Sequence, residues 1–493
     1  VGSEMCIRDR SIPNYIVRFD AVAPKREDFV KHLPALADSL QAMFGKPADE
    51  YRDMFNRARE RKNRYMLVTK GLSYTELLRL RSFPLFKLGP FKGGIITEQK
   101  IVREHPIGKI AERTVGYERI DDDGEVLYVG IEGAYADYLK GKDGRHMMQK
   151  IAKNHWKPIS DVNELDPIDG LDVISTIDVY IQDIAHHALL KQLEYYEADH
   201  GCVVVMETKT GYVRAISNLG RAEDGSYYET INYAVGESQE PGSTFKLAGL
   251  VAMLEDGRVD TAQVFDTHGG DVTYSGKHVQ DSHKGGYGKI SLARGFELSS
   301  NTVLVQALYN SYKDDPKTFV KHLNNWGFNN RLGVTLKGEG KPRIPQPEEK
   351  SWSKISLPWM GFGYGLSLTP LQTLAFYNGI ANNGEKLRPL FVQEIRAWDK
   401  SIKKFDKEVI NPKMCSPETI KQVKAIMANV VKKGTGSKLY SENFSMAGKT
   451  GTAQVNYGKG GKTNGGMYYS SSFVGYFPAD EPQLSLIHIS EPT

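Results

Sequence analysis

The chain has 493 residues, a length that predicts two or three domains rather than one. Its composition is that of a globular protein, with 40% hydrophobic and 25% charged residues, and its formal net charge of +4 is too small to indicate nucleic-acid binding. Its 3 cysteines lack metal-site spacing, and no apolar run reaches the roughly 18 residues of a membrane span.

Both ends of the chain look foreign to the sequence between them. Residues 1–10 (VGSEMCIRDR) and 485–493 (SLIHISEPT) resemble translated sequencing-adapter sequence, and such segments are set aside in fold prediction. We interpret both segments as artefacts and expect the natural protein to continue past each end. On this interpretation Cys6 is not part of the protein, and the absence of a membrane segment carries no information about location.

Residues 11–160 are predicted to form a mixed α+β region without catalytic spacing. Charged helices are predicted over Arg26–Phe44 and Glu50–Arg61, and strands over Tyr15–Val22, Arg64–Val68 and Gly94–Thr97. A polar, turn-rich join over Asn163–Gly170 follows this region. We therefore expect one domain over 11–160 and a second over 161–484.

The second region opens with a strand, a helix and a hairpin. The predicted bounds are Leu171–Ile177 for the strand, Val179–Tyr196 for the helix and His200–Ser217 for the hairpin. Further along the chain, Thr369 and Pro370 are typical of a helix cap and a first helical position.

Ser243-Thr244-Phe245-Lys246 places a hydroxyl and an amine three residues apart. An apolar-periodic run follows and stops at Asp256-Gly257, which predicts a helix with Ser243 in its first turn. Residues three apart share a helix face, so Lys246 is expected to lie over Ser243. Backbone N–H groups at the helix start are suited to stabilising an oxyanion there. Taken alone, the pattern is more typical of a serine N-cap followed by a solvated lysine.

A serine hydroxyl is a poor nucleophile until a base removes its proton. Lys246 can be that base only when it is neutral, which near pH 7 requires its pKa to fall by roughly 3 units from about 10.4. Burial and a second cation both lower the pKa of a lysine, and Lys449 is the candidate second cation.

Two further motifs follow the Ser243 motif. Ser299-Ser300-Asn301 comes after a short helical stretch and alone is typical of a turn between helices. Lys449-Thr450-Gly451-Thr452 is predicted to lie on a strand, where a glycine often marks close approach by a ligand or another backbone. The alternative of a phosphate-binding loop fails, because Asn443 stands where that motif requires glycine.

The order S-x-x-K, S-x-N and K-T-G resembles the signature of penicillin-binding proteins and class A β-lactamases. The middle motif of that signature is S-D-N, and Ser300 departs from it. Upstream, Arg113–Gly116 and Gly130–Tyr135 resemble the N-terminal pedestal of class B penicillin-binding proteins. The resemblance covers nearly all of residues 11–484 and is strongest to the division-type FtsI proteins.

The resemblance implies an α+β fold. It implies a pedestal over 11–160 and a penicillin-binding transpeptidase domain over 161–484, whose antiparallel five-stranded sheet has helices on both faces. In the family, the last strand of this sheet follows the segment that matches Tyr469–Phe477. We therefore expect that strand to be missing here or replaced by the apolar residues Leu484–Ile489.

The resemblance also implies roles for the first two motifs. Ser243 is implied to be the nucleophile and Lys246 its base. Ser299 is implied to pass a proton to the leaving amine, and Asn301 to bind the substrate amide and the Lys246 ammonium.

The third motif is implied to bind substrate. The hydroxyls of Thr450 and Thr452 are implied to hold a terminal carboxylate, with charge supplied by Lys449, and the strand that contains Gly451 is implied to pair with the substrate. The Thr452 N–H is implied to join the Ser243 N–H as the oxyanion hole.

The implied function is that of a serine D,D-transpeptidase, which cross-links peptidoglycan stem peptides through an acyl-enzyme on Ser243 and is inhibited by β-lactams. No metal or cofactor is implied. The implied partners of the intact protein are a membrane glycosyltransferase and division proteins. The implied location is the inner membrane, with one N-terminal span missing from this chain and the catalytic domain in the periplasm. The alternatives are a β-lactam-hydrolysing or β-lactam-sensing relative and a catalytically silent division scaffold.

Overall fold

The structure, a computed structural model, describes residues 4–7, 11–103, 110–120, 125–142, 148–152, 155–158, 168–455 and 468–491. The chain divides into two compact units. Asp9–Pro106 forms the smaller unit, and Ile107–Thr493 together with Val1–Arg8 forms the larger one. Within the described ranges, no helix combines the length and the apolar character needed to cross a membrane.

A short first strand, β1 (Glu4–Ile7), pairs antiparallel with residues 173–178 of the larger unit. The smaller unit then contains three strands and four α-helices: β2 (Ser11–Phe19), α1 (Arg26–Phe44), α2 (Ala48–Glu60), β3 (Met66–Leu72), α3 (Tyr74–Arg81), α4 (Gly89–Gly93) and β4 (Ile95–Arg103). Its strands form an antiparallel sheet in the order β3-β2-β4. The rings of Phe19 and Phe55 meet in its core with their centroids 4.8 Å apart. The prediction of helix α1 is confirmed at both ends, and that of α2 within two residues.

The strands of the larger unit after β1 are β5 (Tyr117–Ile120), β6 (Val126–Val129), β7 (Met148–Ala152), β8 (His155–Pro158), β9 (Asp172–Asp178), β10 (His200–Glu207), β11 (Val213–Arg221), β12 (Tyr227–Tyr228), β13 (Val264–Asp266), β14 (Asp271–Tyr274), β15 (Lys277–Gln280), β16 (Lys289–Ser291), β17 (Lys386–Leu387), β18 (Val392–Ala397), β19 (Lys400–Lys404), β20 (Val409–Asn411), β21 (Ala447–Val455), β22 (Tyr468–Phe477) and β23 (Leu484–Glu491).

Its α-helices are α5 (Glu112–Val115), α6 (Gly130–Ala134), α7 (Ala136–Leu139), α8 (Val179–Tyr196), α9 (Tyr233–Gly236), α10 (Lys246–Glu255), α11 (Leu292–Glu297), α12 (Asn301–Tyr312), α13 (Pro316–Asn325), α14 (Ser356–Met360), α15 (Pro370–Ala381) and α16 (Pro417–Lys433). Single 3₁₀ turns occur at Phe86–Leu88 in the smaller unit and at Gly242–Phe245, His268–Gly270 and Ser437–Leu439 in the larger one.

A six-stranded antiparallel sheet lies at the centre of the larger unit, in the order β12-β11-β10-β23-β22-β21. Val203 and Val205 of β10 pack with α8, whereas Val204 between them belongs to the main core on the other face. Helix α15 lies on that second face, where Asn378 Oδ1 accepts a hydrogen bond from Ser485 Oγ at 2.8 Å. The predicted sheet with helices on both faces is confirmed, and the two-residue strand β12 adds a sixth strand to it.

Strand β23 occupies the place in which the sequence predicts a missing or replaced last strand. It pairs with β10 along its whole length and with β22 over seven residues, from Ser471 to Phe477. Alternate residues of β23, including Ile487 and Ile489, are buried, whereas Leu484 and Leu486 are half-buried against the α8 side. The face of β23 toward the main core is therefore covered more completely than the face toward α8. Residues 1–3, 8–10 and 492–493 of the two adapter-like segments lie outside the described residues. The interpretation of both ends as artefacts stays a prediction.

The segment that follows the smaller unit is tied to the larger one by a buried carboxylate. Glu229 accepts hydrogen bonds from the N–H of Arg113 at 2.8 Å and from the N–H of Asn218 on β11 at 3.0 Å. Burial raises the pKa of Glu229 to about 7, against the lowering effect of these two hydrogen bonds. The smaller compact unit ends at Pro106, so Arg113 belongs to the larger one. The predicted domains over 11–160 and 161–484 stay a prediction.

Candidate active site

Ser243 lies in the 3₁₀ turn Gly242–Phe245, which continues directly into α10. The predicted helix therefore begins with a tighter turn than an α-helix has. Side chains three residues apart in a 3₁₀ turn lie directly over one another, so Ser243 and Lys246 share a face. Ser243 is half-buried, whereas Lys246 is only 1% exposed. Helix α15 supports the turn, because the Tyr377 hydroxyl donates to Thr244 O at 2.7 Å.

The Lys246 amine is surrounded by oxygen atoms of the second motif. Its Nζ lies 2.7 Å from Ser299 O, 3.2 Å from Ser299 Oγ and 2.6 Å from Asn301 Oδ1. Burial lowers the pKa of Lys246 to about 7, and the Asp281 carboxylate opposes this fall. Burial, one of the two causes that the sequence predicts, is thus the main reason why the pKa of Lys246 falls toward the value that a base needs near pH 7.

Ser299 joins α11 to α12 in the left-handed conformation, with a φ of 58°. Residues with a Cβ seldom adopt this conformation, so the surrounding hydrogen bonds must hold it. The N–H of Ser299 donates to Phe296 O at 3.0 Å. Ser300 caps α12, since its Oγ accepts from Val303 N at 3.2 Å. This turn brings both Ser299 and Asn301 against the Lys246 amine.

Strand β21, which carries the third motif, forms one edge of the six-stranded sheet. Lys449 is in register with Val474 of β22. A Cβ on Gly451 would lie 2.3 Å from Ser472 Oγ and 2.8 Å from Thr244 Cγ2. No side chain fits there without displacing its neighbours, so the glycine lets β21 lie directly beside the Ser243 turn.

The polar face of β21 carries Thr450 and Thr452, because alternate residues of a strand share a face. Thr452 is exposed and Thr450 is half-buried. The Thr450 Oγ1 lies 2.6 Å from the Oγ1 of Thr435, in the loop after α16. Thr435 thus adds a third hydroxyl that the predicted site residues do not include. Its sequence signal is Gly434-Thr435-Gly436, which resembles the segment that precedes the K-T-G strand in the family.

Lys449 is completely buried beneath this face. Its Nζ donates to Thr450 O at 2.8 Å and lies 5.7 Å from the centre of the Phe296 ring. Burial lowers the pKa of Lys449 well below its ordinary value, and repulsion from the Lys246 ammonium lowers it further. A carboxylate bound nearby would favour the charged form of Lys449 and so be attracted by it.

The loop before α15 links the Ser243 turn to the far end of β21. The N–H of Gly242 donates to Gly363 O at 3.1 Å, and the N–H of Gln454 donates to the Tyr364 hydroxyl at 3.0 Å. Gly361–Gly365 therefore lines the site between the Ser243 turn and β21.

Asp281 is a residue near the site that no motif spacing singles out. It follows β15, and its carboxylate accepts hydrogen bonds from Ser300 Oγ at 3.1 Å and from Thr302 N at 3.0 Å. A single aspartate in a polar loop carries no sequence signal of its own, so only the fold reveals this contact.

The structure therefore brings all three motifs together. Ser243 and Lys246 come from the 3₁₀ turn and α10, Ser299 and Asn301 from the turn into α12, and the Lys449–Thr452 motif from β21. The site thus contains the groups that acyl transfer requires: a hydroxyl, a lysine of lowered pKa, and an edge strand whose hydroxyls lie over a buried lysine.

Comparison with known proteins agrees with this geometry. Residues 201–493 match the model of the penicillin binding protein transpeptidase domain. Stage V sporulation protein D of Bacillus subtilis is 30% identical over 405 residues, which cover 79% of this chain and 60% of that protein. The "Probable peptidoglycan D,D-transpeptidase PenA" of Neisseria gonorrhoeae is 27% identical over 416 residues, which cover 81% of this chain and 65% of that protein.

The crystal structure of penicillin binding protein 2X from Streptococcus thermophilus has the same fold. It superposes with a TM-score of 0.73 at 21% sequence identity, covering 100% of this chain and 76% of that one. The chain spans less than two thirds of the length of both curated relatives. The family match covers more than half of this chain, and the relatives share much of the rest. The chain belongs to the penicillin-binding protein transpeptidase family, among its class B members.

Proposed function

We propose that this protein is a serine D,D-transpeptidase that cross-links peptidoglycan stem peptides through an acyl-enzyme on Ser243. The observation that carries the proposal is the buried Lys246, which lies one turn beyond Ser243. Its Nζ contacts Ser299 and Asn301. With a pKa of about 7, Lys246 is partly neutral at neutral pH. The printed name of the Neisseria gonorrhoeae relative supports the same reaction class.

In the acylation step, Ser243 Oγ attacks the carbonyl carbon of the penultimate D-Ala of a stem peptide ending in D-Ala-D-Ala. Neutral Lys246 takes the hydroxyl proton as the C–O bond forms. The carbonyl oxygen becomes an oxyanion, to which the N–H groups of Ser243 and Thr452 donate. The edge position of β21 supports this role, since an extended substrate can pair with an unpaired strand edge.

Collapse of the oxyanion breaks the amide C–N bond and releases D-Ala. The leaving nitrogen needs a proton, and Ser299 is proposed to pass it on from Lys246. The 3.2 Å between Ser299 Oγ and Lys246 Nζ supports this role. An amine of a neighbouring stem peptide then attacks the Ser243 ester. Lys246 takes the excess proton of that amine and passes it to Ser243 Oγ as the ester C–O bond breaks. This restores the serine hydroxyl and the neutral lysine, and the new amide bond is the cross-link.

The terminal carboxylate of the donor is proposed to bind at the polar face of β21. The hydroxyls of Thr450 and Thr452 would donate to it, and Lys449 would be charged once the carboxylate is bound. Thr435 contacts Thr450 and belongs to the same site. Penicillin carries a carboxylate beside a reactive amide and would acylate Ser243 in the same way.

The catalytic domain of the intact protein is proposed to work in the periplasm, where its cross-linking reaction would take place. On the basis of the family resemblance, we also propose a single N-terminal membrane span. The proposed partners are a membrane glycosyltransferase and division proteins. Cell fractionation of the intact gene product, followed by immunodetection, tests the membrane span.

Fluorescent penicillin labelling of the intact gene product tests the proposed function. We expect one covalent adduct, located by peptide mass spectrometry on Ser243, and no adduct in Ser243→Ala. A folded wild-type chain that forms no adduct would contradict the proposal and favour a silent scaffold, and an adduct on another residue would contradict the assignment of Ser243.

Hydrolysis of the bound penicillin separates a transpeptidase from a β-lactamase. Glu240 and Asp281 near the site accept hydrogen bonds from Gly365 N and Thr302 N, and the sequence places no glutamate convincingly at the position of the class A β-lactamase deacylation base. We expect penicillin turnover far below the ~10 per second typical of enzymes. Turnover near that rate would favour a β-lactam-hydrolysing enzyme.

A further inference from the structure

Asp281 connects the hairpin β14–β15 to the turn that contains the second motif. Its Oδ1 and Oδ2 each lie 3.1 Å from Ser300 Oγ. Oδ1 also accepts from Thr302 N at 3.0 Å, and Oδ2 accepts from Thr302 Oγ1 at 2.9 Å. Both carboxylate oxygens are thus used on the two residues that flank Asn301.

The residue before Asp281 makes a contact of the same kind. Gln280 O, at the end of β15, accepts a hydrogen bond from Asn301 Nδ2 at 2.7 Å. This bond leaves Asn301 Oδ1 directed at Lys246 Nζ, 2.6 Å away. Gln280 and Asp281 together hold three consecutive residues, Ser300 to Thr302.

The sequence of the second motif gives this arrangement a chemical meaning. Chains with the S-D-N pattern carry a carboxylate on the middle residue of the motif. Here the middle residue is Ser300, a neutral side chain that is 1% exposed and donates to Asp281. The carboxylate that the motif itself lacks is therefore supplied by a separate hairpin.

We propose that Asp281 is a positioning residue for acylation. Its carboxylate fixes the start of α12 and thereby sets Ser299 Oγ and Asn301 Oδ1 against the Lys246 amine. The strained turn at Ser299, with its φ of 58°, is the element that needs such support. This inference rests on the proposed transpeptidase function, and its test separates the two.

The charge of Asp281 adds an electrostatic effect to the positioning. Burial lowers the pKa of Lys246, and Asp281 raises it. Lys449 is a second group whose charge acts on Lys246. On the other side, the charges of Asp281 and Arg294 both act on the Tyr287 hydroxyl. Removing the negative charge should therefore make Lys246 neutral at lower pH.

Three variants of the full chain test the inference: Asp281→Asn, Asp281→Ala and the control Asp271→Asn. Asp271 is a carboxylate of the same hairpin whose side chain contacts His278 and Gln280 instead of the motif. The readouts are the second-order rate constant of penicillin acylation between about pH 5.5 and 9, and the thermal midpoint of unfolding.

We expect Asp281→Asn to reach half of its own maximal acylation rate at a lower pH than the wild type does. We expect Asp281→Ala to lower the plateau about ten- to a hundred-fold, because a small misplacement of reacting groups has effects of that size. The double variant Asp281→Ala with Ser300→Asp should recover several-fold of that loss. Asp271→Asn should match the wild type in both readouts.

If folded Asp281→Asn reaches half of its maximal acylation rate at the same pH as the wild type, the inference is wrong even if the rate itself is lower. A purely structural role changes the rate alone. If Asp281→Ala does not fold, the pH profile of Asp281→Asn decides. A wild-type chain that never acylates is a different result, which contradicts the proposed function itself.

Discussion

Lys246 is a residue whose positive charge the fold disfavours at neutral pH. Burial lowers its pKa to about 7, and a general base must be neutral to accept a proton. We therefore expect the penicillin acylation rate to rise with pH through about 7 and then level off. Lys246→Ala should lower the plateau about a hundred- to ten-thousand-fold with little change in affinity for penicillin.

A matched control is Lys386→Met, which removes another buried lysine whose Nζ donates to Trp326 O. Its pH profile should resemble that of the wild type. If stopped-flow measurement shows that Lys246→Ala is acylated by penicillin within a few-fold of the wild-type rate, another group is the base.

Lys449 is predicted to act on binding as well as on rate. Lys449→Ala should weaken donor binding and slow acylation, because its buried amine attracts the terminal carboxylate when that carboxylate binds. The control lies in the substrate: the variant should lose less rate, relative to wild type, with a donor whose terminal carboxylate is replaced by carboxamide. If the variant discriminates against the carboxamide donor as strongly as the wild type does, Lys449 has no role at the carboxylate.

The residues of the three motifs could be predicted because each motif is contiguous and its spacing has a chemical reason. Ser243 and Lys246 lie three apart, and the position of Gly451 on a strand predicts a close approach. Asp281 and Thr435 could not be placed in this way. They reach the site through a hairpin and a loop, and only tertiary structure brings them to Ser300 and Thr450.

At the scale of elements, the 3₁₀ turn that holds Ser243 depends on a glycine in the facing loop. Gly363 has a φ of +88°, and a Cβ there would lie 1.9 Å from Gly242 O. Gly363→Ala should therefore displace the Ser243 turn, lower the acylation rate at least tenfold and lower the free energy of unfolding by about 1–3 kcal/mol.

The matched control for this prediction is Gly249→Ala in α10. A Cβ at Gly249 meets only Leu308 Cδ1, at 3.6 Å, and alanine in a helix is more stable than glycine by about 0.5–1 kcal/mol. Denaturant unfolding and penicillin acylation should show Gly249→Ala to be slightly more stable and fully reactive. Equal acylation rates for Gly363→Ala and wild type would show that the turn tolerates the shift.

Elements with end signals were the most predictable. Helix α8 has the predicted bounds, and its N-cap Asp178 accepts hydrogen bonds from the N–H groups of Tyr180 and Ile181. Strand ends were less predictable: β3 is predicted over Arg64–Val68 and observed over Met66–Leu72. Its end depends on pairing with β2 rather than on a local residue.

At the scale of the whole larger unit, a histidine cluster contributes to stability in a pH-dependent way. His200 lies 3.0 Å from Asp199, 3.2 Å from Glu237 and 3.6 Å from Glu491, and its ring stacks on Tyr233. Burial lowers the pKa of His200, but the hydrogen bonds to Glu237 and Asp199, with the charges of Glu491 and Glu237, raise it from 6.5 to about 9.

Because the folded pKa exceeds the unfolded one, this stabilisation is complete below pH 6.5 and is lost as pH rises to about 9. It amounts to less than about 3 kcal/mol, since burial raises the pKa of Glu491 and offsets part of the gain. The free energy of unfolding of His200→Gln, measured in urea, should differ from wild type at low pH and converge with it at high pH.

The control His278→Gln removes an exposed histidine paired with Asp271. Its difference from wild type should stay small at every pH. Each variant is compared with the wild type at the same pH, because buried Lys246 and Lys386 also make the free energy of unfolding depend on pH. Their pKa values are lowered to about 7 and about 8, so they make both proteins more stable as pH rises. A constant difference for His200→Gln would mean that the cluster is not charged in the folded state.

The architecture of the larger unit could be predicted from the motif resemblance, whereas the end of the compact smaller unit, which is distinct from the predicted domain join, has no local signal. Composition changes near Asn163–Gly170, whereas the compact smaller unit ends at Pro106. The cause is tertiary: the N–H of Arg113 is held by Glu229, which lies more than a hundred residues further along the chain. No local pattern reports a contact of that range.

The position of β23 has a consequence for what the reactive site depends on. β23 lies between β10 and β22, so within the sheet the hairpin of β21 and β22 joins the remaining strands only through it. Ser243 and Asn301 lie on other elements, the 3₁₀ turn and α12. If the position were left empty, the hairpin that carries Lys449 and Thr452 would have no strand to dock on. A protein with an intact nucleophile but an unfilled strand position is therefore expected to be unreactive toward amides and lactams.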